Sequence, residues 1–412
     1  MSPAERYVLG AFIFGVVTSA FFIIAGGLGL ASSVWVLAVL LIPVAMRAAA
    51  ENIIRNPLVI IVAGLTLAWF IVSWFWSPYV KPDQAIKLAI ATPLYAFLPF
   101  AAGLLDASMR ARVAPWFAGA ALVCAAWMAF EALSGAWVST LYQTHVHGIG
   151  NFEDAQAFGM RRMSRGASAF ILLSGPAALW LWLRGGLKSR AAASALMVAA
   201  VLASACFRVE ANVLALALGL AAAAMAIRAP VAVLQAILTG AAVLLAAAPL
   251  IMGATVSLFP DELAHSLPMS WHWRLEIWVF ALEQIRAAPL FGHGLDATRA
   301  ISDVVVLRGV EIERMPQHAH NVLLQIWLET GAVGALLAAS VLAAAAHAAG
   351  SAGFTREQAA GLAFASVFWL TSVMVGYGVW QEWHHGALAF ACAAAMLNRS
   401  GVETARVLRF FR

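Results

Sequence analysis

An imidazole and an amide stand together where a polar stretch re-enters a long apolar run: His320 and Asn321, in His318-Ala-His320-Asn-Val-Leu-Leu-Gln325-Ile-Trp-Leu-Glu329-Thr-Gly331. Imidazole takes and gives protons near neutral pH, so it can serve as a general base. An ionisable group at the mouth of a membrane helix is costly to place without a use. Gly331 and Gly334 follow roughly three turns on, where the missing side chains let a neighbouring helix or a bulky lipid come close. His318 and His320, like His145 and His147, alternate as zinc ligands on an extended strand would. No carboxylate or Cys lies at a fixed short spacing from them, and a helix after His320 would turn the two rings to different faces. No metal site is therefore expected.

The second chemistry is anion binding. Arg161, Arg162 and Arg165 cluster ahead of one apolar run, Arg208 sits between two others in Cys206-Phe-Arg208-Val-Glu210, and Arg274 opens an amphipathic stretch. Each has a bland alternative: a headgroup contact for the cluster, an interfacial cation that snorkels for Arg274, a surface pair with Glu210 for Arg208. Cys124, Cys206 and Cys392 all fall inside apolar runs, which suits small core residues and neither a disulfide nor a metal site.

The elements that must position these residues are membrane helices. Hydrophobic residues make up 63% of the chain and charged residues 11%, with a mean hydropathy of +0.87, which excludes an ordinary soluble domain. Apolar runs of spanning length recur at about 8–26, 31–46, 57–76, 88–105, 114–133, 167–184, 191–207, 211–227, 230–258, 321–346, 358–379 and 386–398. The expectation is an all-α polytopic integral membrane protein of about twelve transmembrane helices. The first run lacks a small-residue cleavage site and reads as a retained anchor. Lys and Arg (Arg47, Arg110, Arg112, Arg184, Lys188, Arg228 and Arg356 among them) gather in alternate connections, which puts both termini in the cytoplasm by the positive-inside rule. The net charge of +5 is then a topology signal, spread along the chain rather than striped for nucleic acid. The tail Arg406-Val-Leu-Arg409-Phe-Phe-Arg412 suits the inner leaflet.

Three parts follow: helices one to nine over 1–258 with an outer loop at about 134–166, an outer loop over 259–319, and the last three helices with a cytoplasmic tail over 320–412. Two long loops in an otherwise tight bundle mark function. Nine of the ten histidines, and Arg161, Arg162, Arg165, Arg208, Arg274, Arg286, Arg299, Arg308 and Arg314, fall on the outer side. Cations collected on that side point to an anionic ligand. Within the second loop, Ser270 is expected to cap a helix starting near Trp271 and ended by Pro289. Trp271, Leu275, Trp278, Val279, Leu282 and Ile285 would form its apolar face, opposite His272, Glu276, Glu283 and Arg286. It would lie on the membrane surface or cap the bundle. Glu382, His384 and His385 could line the same cavity.

His320-Asn321-x9-Gly331-Ala-Val-Gly334 resembles the signature of the O-antigen ligase family and its polymerase cousins. Arg274-Leu-Glu-Ile-Trp278 with Pro289-Leu-Phe-Gly292-His-Gly294 resembles the same family's Arg-x3-Trp and Pro-Leu-x-Gly-x-Gly block, and Ser164-Arg165-Gly166 and the Arg208 turn resemble two more of its arginine-bearing segments. The likeness in order and spacing covers about 160–340, and the twelve-span layout, of the GT-C kind, fits throughout. Arg208 departs from the pattern, being followed by Val-Glu where the family more often has Gly or Ala.

The resemblance implies a periplasm-facing glycosyltransferase of the bacterial inner membrane. Its donor would be an undecaprenyl-diphosphate-linked glycan and its acceptor lipid A–core or another glycan, among membrane lipids and without nucleotide sugar, metal or other cofactor. His320, Arg274 and Arg165 would be catalytic, with Arg161, Arg208, Asn321, Trp278 and His318 around the substrate and its diphosphate. Which of Arg161, Arg165 and Arg208 touches the diphosphate stays open. The chemistry is coherent: a diphosphate leaves readily and needs cations, which Arg supplies in a fork matched to phosphate oxygens. A single base with no carboxylate nucleophile suits inverting single displacement. A repeat-unit polymerase and a protein O-oligosaccharyltransferase share these features. A flippase for lipid-linked glycans would instead show acidic or broken-helix sites at mid-membrane, and no acidic pair stands out inside the runs.

Overall fold

The computed structural model describes residues 1–55, 57–207 and 209–398. Arg208 and the basic tail at 399–412 lie outside the described residues.

The chain runs through α1 (Pro3–Ile24), α2 (Leu30–Arg55), α3 (Pro57–Ser73), α4 (Pro82–Gly103), α5 (Ala107–Leu133), the short α6 (Trp137–His145), α7 (Phe152–Leu183), α8 (Leu187–Cys206), α9 (Glu210–Arg228), α10 (Pro230–Ala246) and α11 (Ala248–Ser257). Then come α12 (Asp261–Ser266), α13 (Met269–Ala287), a hairpin of β1 (Val304–Leu307) and β2 (Val310–Glu313), and finally α14 (Val322–Ala349), α15 (Arg356–Val375) and α16 (Glu382–Met396). Local chemistry sets several starts. Ser2 with Glu5, and Thr355 with Gln358, form reciprocal capping boxes. Asp106, Asn151 and Asn321 cap α5, α7 and α14 with their side chains.

Nine of the described helices are long and apolar enough to cross a membrane. Many of their large apolar side chains face outward, among them Phe21, Leu58, Ile61 and Val198, as a bilayer permits and water would not. Every one of the twelve expected runs is helical, but two depart from a simple span. The 230–258 run breaks into α10 and α11, bent by 76°. α16 has only 15 residues. At 1.5 Å per residue it reaches roughly 22 Å, short of a hydrocarbon core of about 30 Å. Among the described residues the bundle is thus nine clear spans, the 26-residue α2, one bent pair and the short α16, rather than twelve equal helices.

Small residues set the packing. α15 lies along α9, and Gly175 of α7 and Gly219 of α9 both meet the ring of Phe364, where a Cβ on Gly175 would stand 2.2 Å from it. Phe12, Phe117, Phe170, Phe368 and Phe390 fill the buried centre. α13 caps one end of this bundle. Leu275, Trp278, Leu282 and Ile285 pack on Leu324 and Leu328 of α14 and Met252 of α11. It begins at Met269 after Pro268 with no side-chain cap, so Ser270 is not the capping residue expected; its carbonyl instead accepts from Arg274 Nη1. The polar face is narrower than expected, since His272 is buried and accepts from Arg308 Nε at 3.2 Å, while Glu283 pairs with Arg314 at 3.0 Å.

Candidate active site

α14 does not run unbroken from the cap into the bundle. Gly331 has φ 65° and ψ −171° inside it, a conformation that favours glycine. The 289–294 turn lies in the notch. Ala332 N–H donates to Pro289 O (2.9 Å), Gly294 N–H to Glu329 O (2.7 Å) and His293 N–H to Leu328 O (2.9 Å). A Cβ on Gly331 would stand 2.3 Å from Leu290 O, and one on Gly292 2.5 Å from the Glu329 carbonyl carbon. The close approach expected of a helix or a lipid at Gly331 is therefore made by the Pro-Leu-Phe-Gly-His-Gly turn. Gly334 faces Thr330 of its own helix and Trp69.

Asn321 fixes where α14 begins. Its Oδ1 accepts from Leu323 and Leu324 N–H at 3.0 and 3.2 Å and its Nδ2 lies 3.5 Å from Met252 Sδ, so the amide is spent on the helix and only 2% exposed. His320, just before it, has φ 49°, a strained value for a residue with a Cβ. That backbone turns its ring toward the α15–α16 turn, where Nδ1 meets Gly376 O at 2.6 Å. A carbonyl only accepts, so Nδ1 carries the proton and Nε2 keeps its lone pair. Burial, opposed by the Gly376 bond and aided by the Arg274 charge, holds His320 below the ordinary histidine pKa. The ring is thus a neutral base at pH 7.

His318 takes the opposite tautomer. Its Nδ1 accepts the His320 backbone N–H at 3.2 Å, and burial pushes its pKa down to about 3. The two rings lie 4.1 Å apart, so the helix does not split them as expected. Gly378 of the α15–α16 turn leaves room for His318, whose ring a Cβ there would meet at 2.9 Å.

The arginines reach this place by two routes. Arg274, half-buried on α13 with its guanidinium 5.0 Å from the Trp271 ring centroid, stands within electrostatic reach of His320. Arg165 stands within reach of Tyr377, the neighbour of Gly376. Tyr377 Oη in turn lies 3.0 Å from Ser168 Oγ, which bonds Asn212. Arg165 Nε is buried and, among the described residues, meets no acceptor. Arg161, Arg162 and Arg165 lie within α7 rather than ahead of it, because Asn151 starts that helix early. Arg162 is committed, donating from Nε to Ala25 O at 3.0 Å with its guanidinium 3.9 Å from the Tyr142 ring centroid. Arg161 is exposed, beside Phe158, with its charge in reach of Arg165. Trp278 is 7% exposed inside the cap's apolar packing.

Glu382 and His385 line a different space, an apolar cavity of about 810 Å³ between α3, α4, α9, α10, α14 and α15. His320, Arg274 and Arg165 are not among its lining residues. His384 is not among those lining residues; it is packed among Trp369, Tyr377 and Trp383.

Sequence reasoning gave no role to Glu329, which is fully buried in α14. Its Oε1 accepts from Thr298 Oγ1 (2.7 Å) and Gln325 Nε2 (3.0 Å), its Oε2 from Asp296 N–H (2.9 Å) and Trp380 Nε1. The available signal was a carboxylate within an apolar run, which is costly enough to imply a role. Asp296 is 2% exposed and bonded to Arg299 at 2.7 Å; burial pushes its carboxyl up to about 6 despite that arginine.

Residues 158–339 match the family model of the O-antigen ligases. A Rickettsia bellii protein provisionally named a polysaccharide ligase is 29% identical over 127 residues, 30% of this chain and 31% of that protein. Proteins named likewise from Rickettsia typhi and Rickettsia conorii are 27% identical over 114 residues and 37% over 68. Those two alignments cover 27% and 16% of this chain, and 28% and 16% of the relatives. The chain thus spans less than a third of the length of each of these relatives in alignment. No solved structure matches.

Proposed function

From the likeness of residues 158–339 to the O-antigen ligase family, we propose that the chain is a member of that superfamily and moves a glycan from undecaprenyl diphosphate onto lipid A–core at the periplasmic face of the inner membrane. The observation that carries this reading is the His320 ring: neutral, with Nδ1–H bound to Gly376 O and the Nε2 lone pair left for a proton, beside the Arg274 charge. Nε2 takes the proton of the acceptor hydroxyl as its oxygen attacks the anomeric carbon, the bond to the diphosphate breaks, and the anion leaves onto Arg274 and Arg165. One displacement inverts the anomeric centre. The buried Arg165 Nε without an acceptor suits an anionic ligand, because an unmet buried donor costs about 1–3 kcal/mol. Arginine supplies this charge without proton exchange, and it counts for most where water is scarce.

The contacts around this centre support different roles for its neighbours in this reading. Asn321 and Trp278 position it, as cap and as packing, while His318 backs His320. Arg161, exposed near Arg165, is the more peripheral cation. Both termini are cytoplasmic in this reading.

The broken α14 and the buried acids Glu329 and Asp296 are features a flippase would show. The lone pairs of Glu329 are filled by four protein donors, however, which leaves none for a coupling ion. The ligase names of the matching family and relatives favour a ligase over a polymerase. The test is a deletion strain analysed on a lipopolysaccharide gel. Loss of the ligase leaves bare core, loss of a polymerase leaves core bearing one repeat, and an unchanged pattern contradicts both. Complementation with His320→Ala or Arg274→Ala is expected to leave the bare-core pattern while the protein still inserts, with the His320 loss about 10²–10⁴-fold in rate.

A further inference from the structure

The turn between α15 and α16 supplies the carbonyl that fixes the His320 tautomer, yet it belongs neither to the loop that carries His320 nor to α13, which carries Arg274. Glycines at 376 and 378 give it little stiffness of its own. Tyr377 ties it to Ser168 of α7, and a polar clamp on α14 holds its later residues. Gln325 Oε1 accepts the Val379 N–H at 3.0 Å, and Trp380 Nε1 donates to Glu329 Oε2. The Gln325 amide spans the two, its Nε2 donating to Glu329 Oε1 at 3.0 Å. Asp296 N–H and Thr298 Oγ1 fill the remaining sites and bring in the loop after the 289–294 turn. One carboxylate therefore joins α14, the cap loop and the α15–α16 turn. Networks of this kind specify a single geometry when every member is satisfied.

We propose that Glu329 is a positioning residue, holding the α15–α16 turn through Gln325 and Trp380 so that the Gly376 carbonyl keeps its bond to His320 Nδ1 and Nε2 stays available. This rests on the reading of His320 as the base. Glu329 touches no reacting atom. Glu329→Gln puts an amide N–H₂ where two donors already point and releases one side of the clamp. Gln325→Met removes the acceptor of Val379 and one donor to Glu329 while keeping length and apolar bulk. His320 faces His318 from its own loop, Arg274 from α13 and Gly376 from the turn; only the last changes in these variants.

The test is ¹⁵N-histidine NMR of the full-length protein in detergent micelles, the His320 signal identified by its loss in His320→Gln, together with transfer rates against pH. In the wild type His320 is expected to show Nδ1 protonated and Nε2 bare. In Glu329→Gln and Gln325→Met it is expected to show a mixture of tautomers. Their kcat should drop about 10-fold with KM little changed, less than the roughly 10²–10⁴-fold expected for losing the base itself. The acid limb of the rate should shift to lower pH, because the lost Gly376 bond was raising the His320 pKa. A merely structural role would reduce the yield of folded protein and leave tautomer and limb alone. If Glu329→Gln does not fold, Gln325→Met decides. A wild-type tautomer and an unmoved limb in folded variants overturn the proposal. Full transfer by His320→Ala would instead sink the base assignment, while the NMR still decides whether Glu329 sets the tautomer.

Discussion

Arg274 stands near enough to His320 for its charge to weigh on the imidazole, so two substitutions separate their roles. Arg274→Lys keeps the charge but loses the planar fork. Transfer is expected to fall at least about 10-fold, since a charge-assisted bond is worth about 1.5–3 kcal/mol; wild-type rates would reduce Arg274 to a headgroup anchor. The pH dependence follows from His320. Its folded pKa is depressed, so the reactive neutral form persists further into acid than in an ordinary histidine. The rate should stay level from pH 7 down to about 6.5 and decline only below it, as read from kcat/KM against pH; a decline beginning above pH 7 would contradict the burial of the ring. His320, Arg274 and Arg165 were legible in the sequence as candidates because ionisable groups are costly at a membrane. The contacts of Asn321, Trp278 and Glu329 were not. Capping, packing and clamping depend on partners far away in the chain, such as Met252, Leu328 and Trp380.

At the scale of elements, the break in α14 is the device that builds the site. Hydropathy shows 321–346 as one run, and nothing in a run of apolar residues says that Gly331 sits at φ 65°. Gly331 and the Pro289–Gly294 turn were visible as separate motifs; the structure shows that they are two halves of one contact. Gly331→Ala is expected to lower the thermal midpoint or the folded yield sharply. The left-handed conformation alone costs about 1–3 kcal/mol, and the new Cβ would also strike Leu290 O. Gly240→Ala, in a helix with open space at that position, serves as the control and should be tolerated. Equal tolerance at both sites would mean that the turn does not dock on α14. The same logic explains the count of spans. Apolar length was readable from composition, whereas the 76° bend after Ala246 and the shortness of α16 are set by packing and by where polar caps fall.

For the whole molecule, the layout gives one end of the bundle a lid of α13, the hairpin and the 289–299 segment, with His320 beneath it and Arg274 on the lid itself. An enzyme that joins two membrane-bound substrates needs such an end, where charge and base are held together at the edge of the apolar region. The central claim is that this end catalyses transfer between lipids. The most direct measurement is reconstitution of the purified protein in liposomes with an undecaprenyl-diphosphate-linked glycan and lipid A–core, with no ion gradient and no nucleotide sugar. The account predicts that the glycan appears on the core, and that His320→Ala and Arg274→Ala proteins, inserted equally well, fail to put it there. No joined product from the wild-type protein, or product undiminished in His320→Ala, would contradict it.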